Sequence, residues 1–176
     1  MNDAGPGEAT SPASASPPGE PEPAFPDPVE LSDEEAGAVV AAALAFADAV
    51  PPGRDAPFRE LAADARGGVV PPERMTDLER ICVLALETGK ARRLGGAETE
   101  RLLTAVYRRT PGGRELASSV ADVNRVLSRL AGRDLQSMRL SWRTPGRYTL
   151  SLSVSGIDIT LALEPEGPRV QSVQTG

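Results

Sequence analysis

Residues 137–164 read SMRLSWRTPGRYTLSLSVSGIDITLALE, and apolar and polar side chains alternate through most of this stretch. Alternation with a period of two is typical of β-strands that bury one face. The dipeptides Pro145-Gly146 and Ser155-Gly156 interrupt the pattern and favour tight turns. A two-residue turn at Ser155-Gly156 sets Val154 opposite Ile157, which keeps the apolar residues of both strands on one face. We therefore predict three antiparallel strands, at about 137–143, 148–155 and 157–164.

The flanking segments extend this prediction to an α+β fold. A fourth strand is predicted at about 169–174. Upstream of the meander, apolar residues recur at helical spacings of three and four, most regularly between Leu116 and Leu130. Helices are predicted at about 33–49, 55–67, 77–94, 97–109 and 114–131, with Gly89 as an alternative end of the third. Because helices precede strands, we expect four to five helices packed on a three- to four-stranded antiparallel β-meander.

Charge and composition divide the chain into parts. Residues 1–50 contain ten acidic residues and no Lys or Arg, whereas residues 101–150 contain ten Arg and three acidic residues. The first thirty residues are rich in Pro, Ala, Ser and Glu, which offer too little apolar surface to offset the entropy of ordering. We predict a disordered acidic leader at 1–31, an Ala-rich helical segment at 32–68 and an α+β core domain at 73–176.

Local patterns predict two helix starts and the burial of two aromatic residues. Ser32 with Glu35, and Thr76 with Glu79, have the spacing of capping boxes. Trp142 has the same parity as Leu140, and Tyr148 the same parity as Leu150. Both aromatic side chains are therefore predicted to join the core rather than to stack on a ligand.

The residue types of the chain exclude several kinds of catalysis. It contains no His and one Cys, Cys82, which lies in an apolar helical run. Ser-His-Asp and Cys-His catalysis and zinc sites built from His or Cys are therefore excluded. Gly89-Lys90 lacks the spacing of a phosphate-binding loop. We predict no enzyme activity and no cofactor, although an enzyme using only carboxylates, Arg and backbone groups remains a third hypothesis.

The Arg-rich middle of the chain contains the candidate site residues. Two predicted helices followed by a hairpin have the order of a winged helix-turn-helix, in which arginines can follow a phosphate backbone. The free amides of Gly112 and Gly113 at a helix start could also hold an anion. The candidate contacts for an anion or a nucleic acid are Arg114, Arg125, Arg129, Arg139, Arg143 and Arg147.

Two functional hypotheses follow from these observations. The first is a non-catalytic interaction or regulatory module that binds another protein or a second copy of itself. The alternative is a winged-helix-like nucleic-acid-binding protein that uses the Arg-rich face, with the acidic leader as its autoinhibitor. The sequence shows neither a secretory signal nor an apolar stretch long enough to span a bilayer. We therefore expect a cytoplasmic location and no membrane partner.

Overall fold

Five helices precede a four-stranded antiparallel sheet, which confirms the predicted α+β class. The computed structural model describes residues 26–175, so residues 1–25 of the predicted leader and Gly176 lie outside the described residues. A 3-10 turn at Pro72–Arg74 leads into the third helix. The elements in chain order are β1 (Val29–Glu30), α1 (Asp33–Ala47), α2 (Ala56–Arg66), β2 (Val69–Val70), α3 (Met75–Glu87), α4 (Lys90–Arg109), α5 (Pro111–Ser128), β3 (Leu135–Thr144), β4 (Arg147–Val154), β5 (Ile157–Glu164) and β6 (Gly167–Thr175).

The short strand β1 corrects the predicted end of the leader. β1 pairs antiparallel with β2, with Val29 opposite Val70, and the Leu31 N–H donates to the Gly68 carbonyl at 2.8 Å. Both valines are buried in the core that the helices form. The prediction of disorder is therefore wrong for residues 29–31, because these residues gain a strand partner and an apolar contact about forty residues away along the chain.

The first predicted capping box forms at the start of α1. The Glu35 N–H donates to the Ser32 hydroxyl at 3.3 Å, and the Ser32 N–H donates to the Glu35 carboxylate at 3.0 Å. Arg109 of α4 pairs with the same carboxylate at 2.7 Å. Burial raises the pKa of Glu35, but the bond from Ser32 and the charge of Arg109 outweigh it and hold this pKa below its usual range. The cap therefore also joins α1 to the end of α4.

The helices α1 to α4 share one apolar core. Val39 of α1, Leu61 of α2, Ile81 of α3 and Leu103 of α4 are all fully buried in this cluster. Residues from both predicted parts, 32–68 and 73–176, contribute to it. The Ala-rich helix α1 is thus a member of the core, and its small side chains allow close contact with its neighbours.

The junction between α3 and α4 lies at Gly89, the earlier of the two ends that the sequence allows for the third predicted helix. α3 ends at Glu87 and not at 94, and Gly89, with a φ of +66°, begins the next helix. Residues 90–94 belong to α4, which continues through a kink at Gly95-Gly96 into the helix predicted at 97–109. Glycine makes both changes of direction possible, because it adopts backbone angles that other residues avoid.

The strands follow the predicted order and register. The sheet runs β3-β4-β5-β6, and Val154 lies opposite Ile157 at the turn between β4 and β5. Helix α5 packs on one face of this sheet, where its Val123 forms a second apolar cluster with Ile159 and Leu161 of β5. The Ser119 hydroxyl of α5 donates to a carbonyl in β6. α5 therefore connects the core of the helices to the sheet.

Candidate binding surface

The strand β3 exposes a row of large apolar side chains. Met138, Leu140 and Trp142 are 65%, 62% and 68% exposed, respectively. They lie opposite Leu152, Leu150 and Tyr148 of β4, and so on the face of the sheet that carries α5. We call the exposed part of this face the open face; it consists of Leu135, Met138, Leu140, Trp142 and Tyr148.

The open face overturns the prediction that Trp142 and Tyr148 join the core. Their parity is as predicted, since both share a face with the buried apolar cluster. Their burial was wrongly predicted, because α5 lies over the β5 and β6 side of the sheet. A helix about 10–12 Å wide covers about two strands spaced about 4.8 Å apart, which leaves the β3 side uncovered.

The two edges of the sheet differ in how they are protected. At the β6 edge, Pro168 removes a backbone donor, the pairing with β5 is irregular at Leu161, and α5 packs alongside. β3 contains no Pro, and its irregularities lie near its ends, so the ladder from 137 to 142 is regular. Within residues 26–175, no strand pairs with the outer edge of β3. This edge is therefore available for a further strand.

Two of the candidate arginines are engaged by acidic side chains. Arg125 pairs with Asp122 one turn earlier on α5, at 2.8 Å. Arg147 pairs with Glu164 at 2.7 Å and with Glu166 at 3.0 Å, at the end of the sheet where β4 begins and β5 ends. Their positive charges are therefore partly neutralised by neighbours within the protein.

The other four candidate arginines lie on separate surfaces. Arg139 alternates with the open-face residues in the regular part of β3, which places it on the face of the sheet away from α5, whereas Arg143 lies in the irregular pairing between Trp142 and Thr144. Arg114 and Arg129 lie at opposite ends of α5, about 22 Å apart along the helix axis. The predicted Arg-rich face is therefore divided between α5 and the far side of the sheet.

The helix start that was predicted to hold an anion is already occupied. The Gly112 N–H donates to the Glu79 carboxylate at 2.6 Å, and the Gly113 N–H donates to the Thr110 hydroxyl at 3.2 Å. Pro111, Gly112 and Gly113 form the first turn of α5, which therefore begins three residues before the predicted start at 114. Glu79 thus supplies the negative charge that a helix N-terminus favours.

The second predicted capping box is wrong for a related reason. The 3-10 turn at Pro72–Arg74 runs directly into α3, so α3 begins at Met75 and Thr76 lies inside its first turn. Glu79 is then one turn further along α3 and faces the start of α5 instead. The carboxylate therefore caps a neighbouring helix and not its own.

Glu79→Ala is expected to lower the free energy of unfolding by about 1–2 kcal/mol, because it removes the acceptor of the partly buried Gly112 N–H. Urea unfolding followed by circular dichroism measures this loss. Glu87→Ala is the matched control: Glu87 is an exposed acid on the same helix, and its removal should change the value by less than about 0.5 kcal/mol. Equal losses for the two variants would contradict the capping role.

The described residues contain no cluster of metal-binding groups. Among residues 26–175, no three side chains of the His, Cys, Asp and Glu types lie together as a possible metal site. Burial, with a smaller effect from the charge of Glu79, raises the pKa of Cys82 to about 12, so its thiol stays protonated at neutral pH. In the same part of the chain, no helix is both long enough and apolar enough to cross a membrane.

Comparison of the chain with protein-family models, with curated proteins and with solved structures found no match. The open face and the unpaired edge of β3 beside it are therefore the features of the described residues that bear on function.

Proposed function

We propose that this protein is a non-catalytic interaction module that binds an apolar segment of another protein on the open face. The observation that carries the proposal is the exposure of five large apolar side chains on two neighbouring strands. Together they expose on the order of 500–600 Å², which matches the largest apolar patches of monomeric proteins, and such patches are often functional.

The composition of the open face suits protein recognition. Trp142 lies opposite Tyr148, so the two aromatic residues form a cross-strand pair at one end of the surface. Trp and Tyr are the residue types that most often dominate binding energy at interfaces, because each buries a large area at a small entropic cost. Leu140 and Met138 continue the apolar surface along β3.

The open face itself indicates the chemistry of the partner. Its exposed side chains are apolar, whereas the neighbouring Arg139 lies on the opposite face of the sheet. The expected partner therefore presents an apolar segment. The nucleic-acid alternative has less support, because the six candidate arginines do not share one surface.

A cytoplasmic location stays a prediction from the sequence.

Leu140→Ser is expected to weaken partner binding at least tenfold, because it replaces an apolar contact at the centre of the open face with a polar one. Capture from a lysate of the native cells, using full-length wild type and variant as baits, measures the loss for each protein that the wild type retains. Arg139→Ser is the matched control, since it changes the adjacent residue on the opposite face. The proposal is wrong if Leu140→Ser retains every protein that the wild type binds, or if the wild type retains none.

A further inference from the structure

We propose that two copies of this protein pair their β3 strands antiparallel and so join their sheets into one sheet of eight strands. The inference rests on the proposed function in one respect: the joined sheet would be the surface on which the partner protein binds. Three features support the dimer: the unpaired edge of β3, the symmetry of a dimer and the charges along the strand.

The first step is the difference between the two edges of the sheet. Exposed strand edges pair with other strands, and natural proteins usually protect them with Pro, bulges, charged side chains or a covering element. The β6 edge is protected by Pro168, an irregular pairing and α5. β3 has ten residues, no Pro and a regular ladder from 137 to 142, in which Arg139 is the one charged residue. β3 is therefore the edge at which a further strand fits.

The second step is symmetry, which determines the orientation of the two strands. A two-fold axis perpendicular to the sheet pairs the strands antiparallel and keeps both open faces on the same side. A two-fold axis along the strands pairs them parallel and turns one sheet over. The second arrangement would set the apolar row around Leu140 beside the polar row that contains Arg139, so we infer the antiparallel one.

Charge and the extent of the regular ladder exclude two of the possible registers. Opposed residues must both have even or both have odd numbers if both open faces are to stay on one side. With the axis at residue 139, Arg139 would oppose Arg139 of the second copy. With the axis at residue 141, Arg139 would oppose Arg143, which is also a cation and lies outside the regular ladder. Like charges directly opposite each other on neighbouring strands are destabilising.

The register centred on Leu140 avoids these repulsions. It sets Leu140 opposite Leu140, Met138 opposite Trp142 and Arg139 opposite Ser141. It also keeps residues 138–142 of both copies inside the regular part of the ladder, whereas a centre at residue 138 or 142 shortens this overlap. Met138 and Trp142 then form two sulfur–aromatic contacts across the dimer axis, which are favourable.

The joined sheet creates a groove. The α5 helix of each copy lies over its outer strands, so the two β3 strands between them stay open on the apolar side, whereas each β4 is exposed at Tyr148 and partly covered at Leu150 and Leu152. With strands spaced about 4.8 Å apart, this gives a floor on the order of 10–15 Å wide. A single helix about 10–12 Å in diameter fits such a floor. The dimer therefore fits a partner that presents an amphipathic helix.

Sedimentation velocity of the full-length chain, from about 1 to 300 µM, tests the dimer. The range extends to high concentrations because pairing through one short strand gives a small interface, and small interfaces bind weakly. We expect a reversible monomer–dimer equilibrium in the wild type. Ser141→Arg sets like charges opposite each other twice and should weaken the dimer on the order of tenfold, whereas Ser141→Glu faces Arg139 and should tighten it. Ser153→Arg, on the same polar face but one strand inward, should leave the equilibrium unchanged.

The contrast between Arg and Glu at one position separates a charge effect from a folding defect. A wild type that stays monomeric at all these concentrations overturns the inference, as does a dimer that responds equally to both substitutions or to neither. If the wild type is monomeric and Leu140→Ser still loses a partner that Arg139→Ser keeps, the dimer is wrong and the proposed function stands. If the dimer responds to Ser141 as expected but no partner depends on Leu140, the proposed function is wrong and the dimer stands.

Discussion

Leu103→Ala should lower the free energy of unfolding by about 2–5 kcal/mol. Leu103 of α4 is fully buried and belongs to the apolar cluster that contains Val39 of α1 and Ile81 of α3. Truncation removes apolar contacts from all of these neighbours and leaves a cavity, because close-packed helices relax only partly around a lost side chain. Urea unfolding followed by helical circular dichroism measures the change directly.

Leu140→Ala is the control, because it makes the same chemical change on the open face. Leu140 is already mostly exposed, so its truncation should change the free energy of unfolding by no more than about 0.5–1 kcal/mol. Both variants are compared at a protein concentration low enough to dissociate the proposed dimer. A large loss for Leu140→Ala would show that this residue is buried and that the open face does not exist. A small loss for Leu103→Ala would remove α4 from the core.

The strands were predictable because their pattern follows from the geometry of the strand itself. Apolar and polar side chains alternate with period two because successive residues of a pleated strand point to opposite faces. The turn at Ser155-Gly156 needs positive φ angles, which both residues adopt. The register between Val154 and Ile157 then follows without reference to any other element. Strand pairing between neighbours in sequence is therefore the part of this fold that the residues determine locally.

The exposure of Trp142 was not predictable in the same way. Parity states which face a side chain lies on, whereas burial depends on how much of that face another element covers. Four helices satisfy their apolar surfaces around one another, and Ile81 and Leu103 lie at the centre of that cluster. One helix, α5, remains for a sheet of four strands. The open face could have been predicted from the number of helices that are left to cover the sheet.

The two capping boxes show that a contact with a residue distant in sequence can replace the hydrogen bonds that a local motif predicts. Ser32 with Glu35 and Thr76 with Glu79 have the same spacing, but only the first forms. Glu79 instead accepts a hydrogen bond from Gly112, which lies 33 residues later in the chain. A short motif contains no information about such a partner, so the sequence could not distinguish the two cases.

Gly113→Ala should lower the free energy of unfolding by about 3 kcal/mol or more, since it places a methyl group against the backbone of α4. A Cβ at Gly113 would lie 2.7 Å from the Tyr107 carbonyl carbon and 2.9 Å from the Arg108 Cα, and closer still to the Tyr107 carbonyl oxygen. No side-chain rotation can relieve contacts with backbone atoms. The approach is close because Thr110 alone separates the two helices, and its N–H and hydroxyl donate to the Tyr107 carbonyl at 3.0 and 2.7 Å.

Gly37→Ala provides the opposite case within the same protein. Gly37 is an exposed residue of α1, and a Cβ there would meet no atom within 4 Å. Alanine favours the helix over glycine, so this variant should be more stable by about 0.5–1 kcal/mol. Opposite signs for the two variants, measured by urea unfolding, would confirm the close corner between α4 and α5. A neutral Gly113→Ala would mean that the corner is wider, and α5 would then leave the helices in a different direction. The open face depends on that direction, because it decides which strands α5 covers.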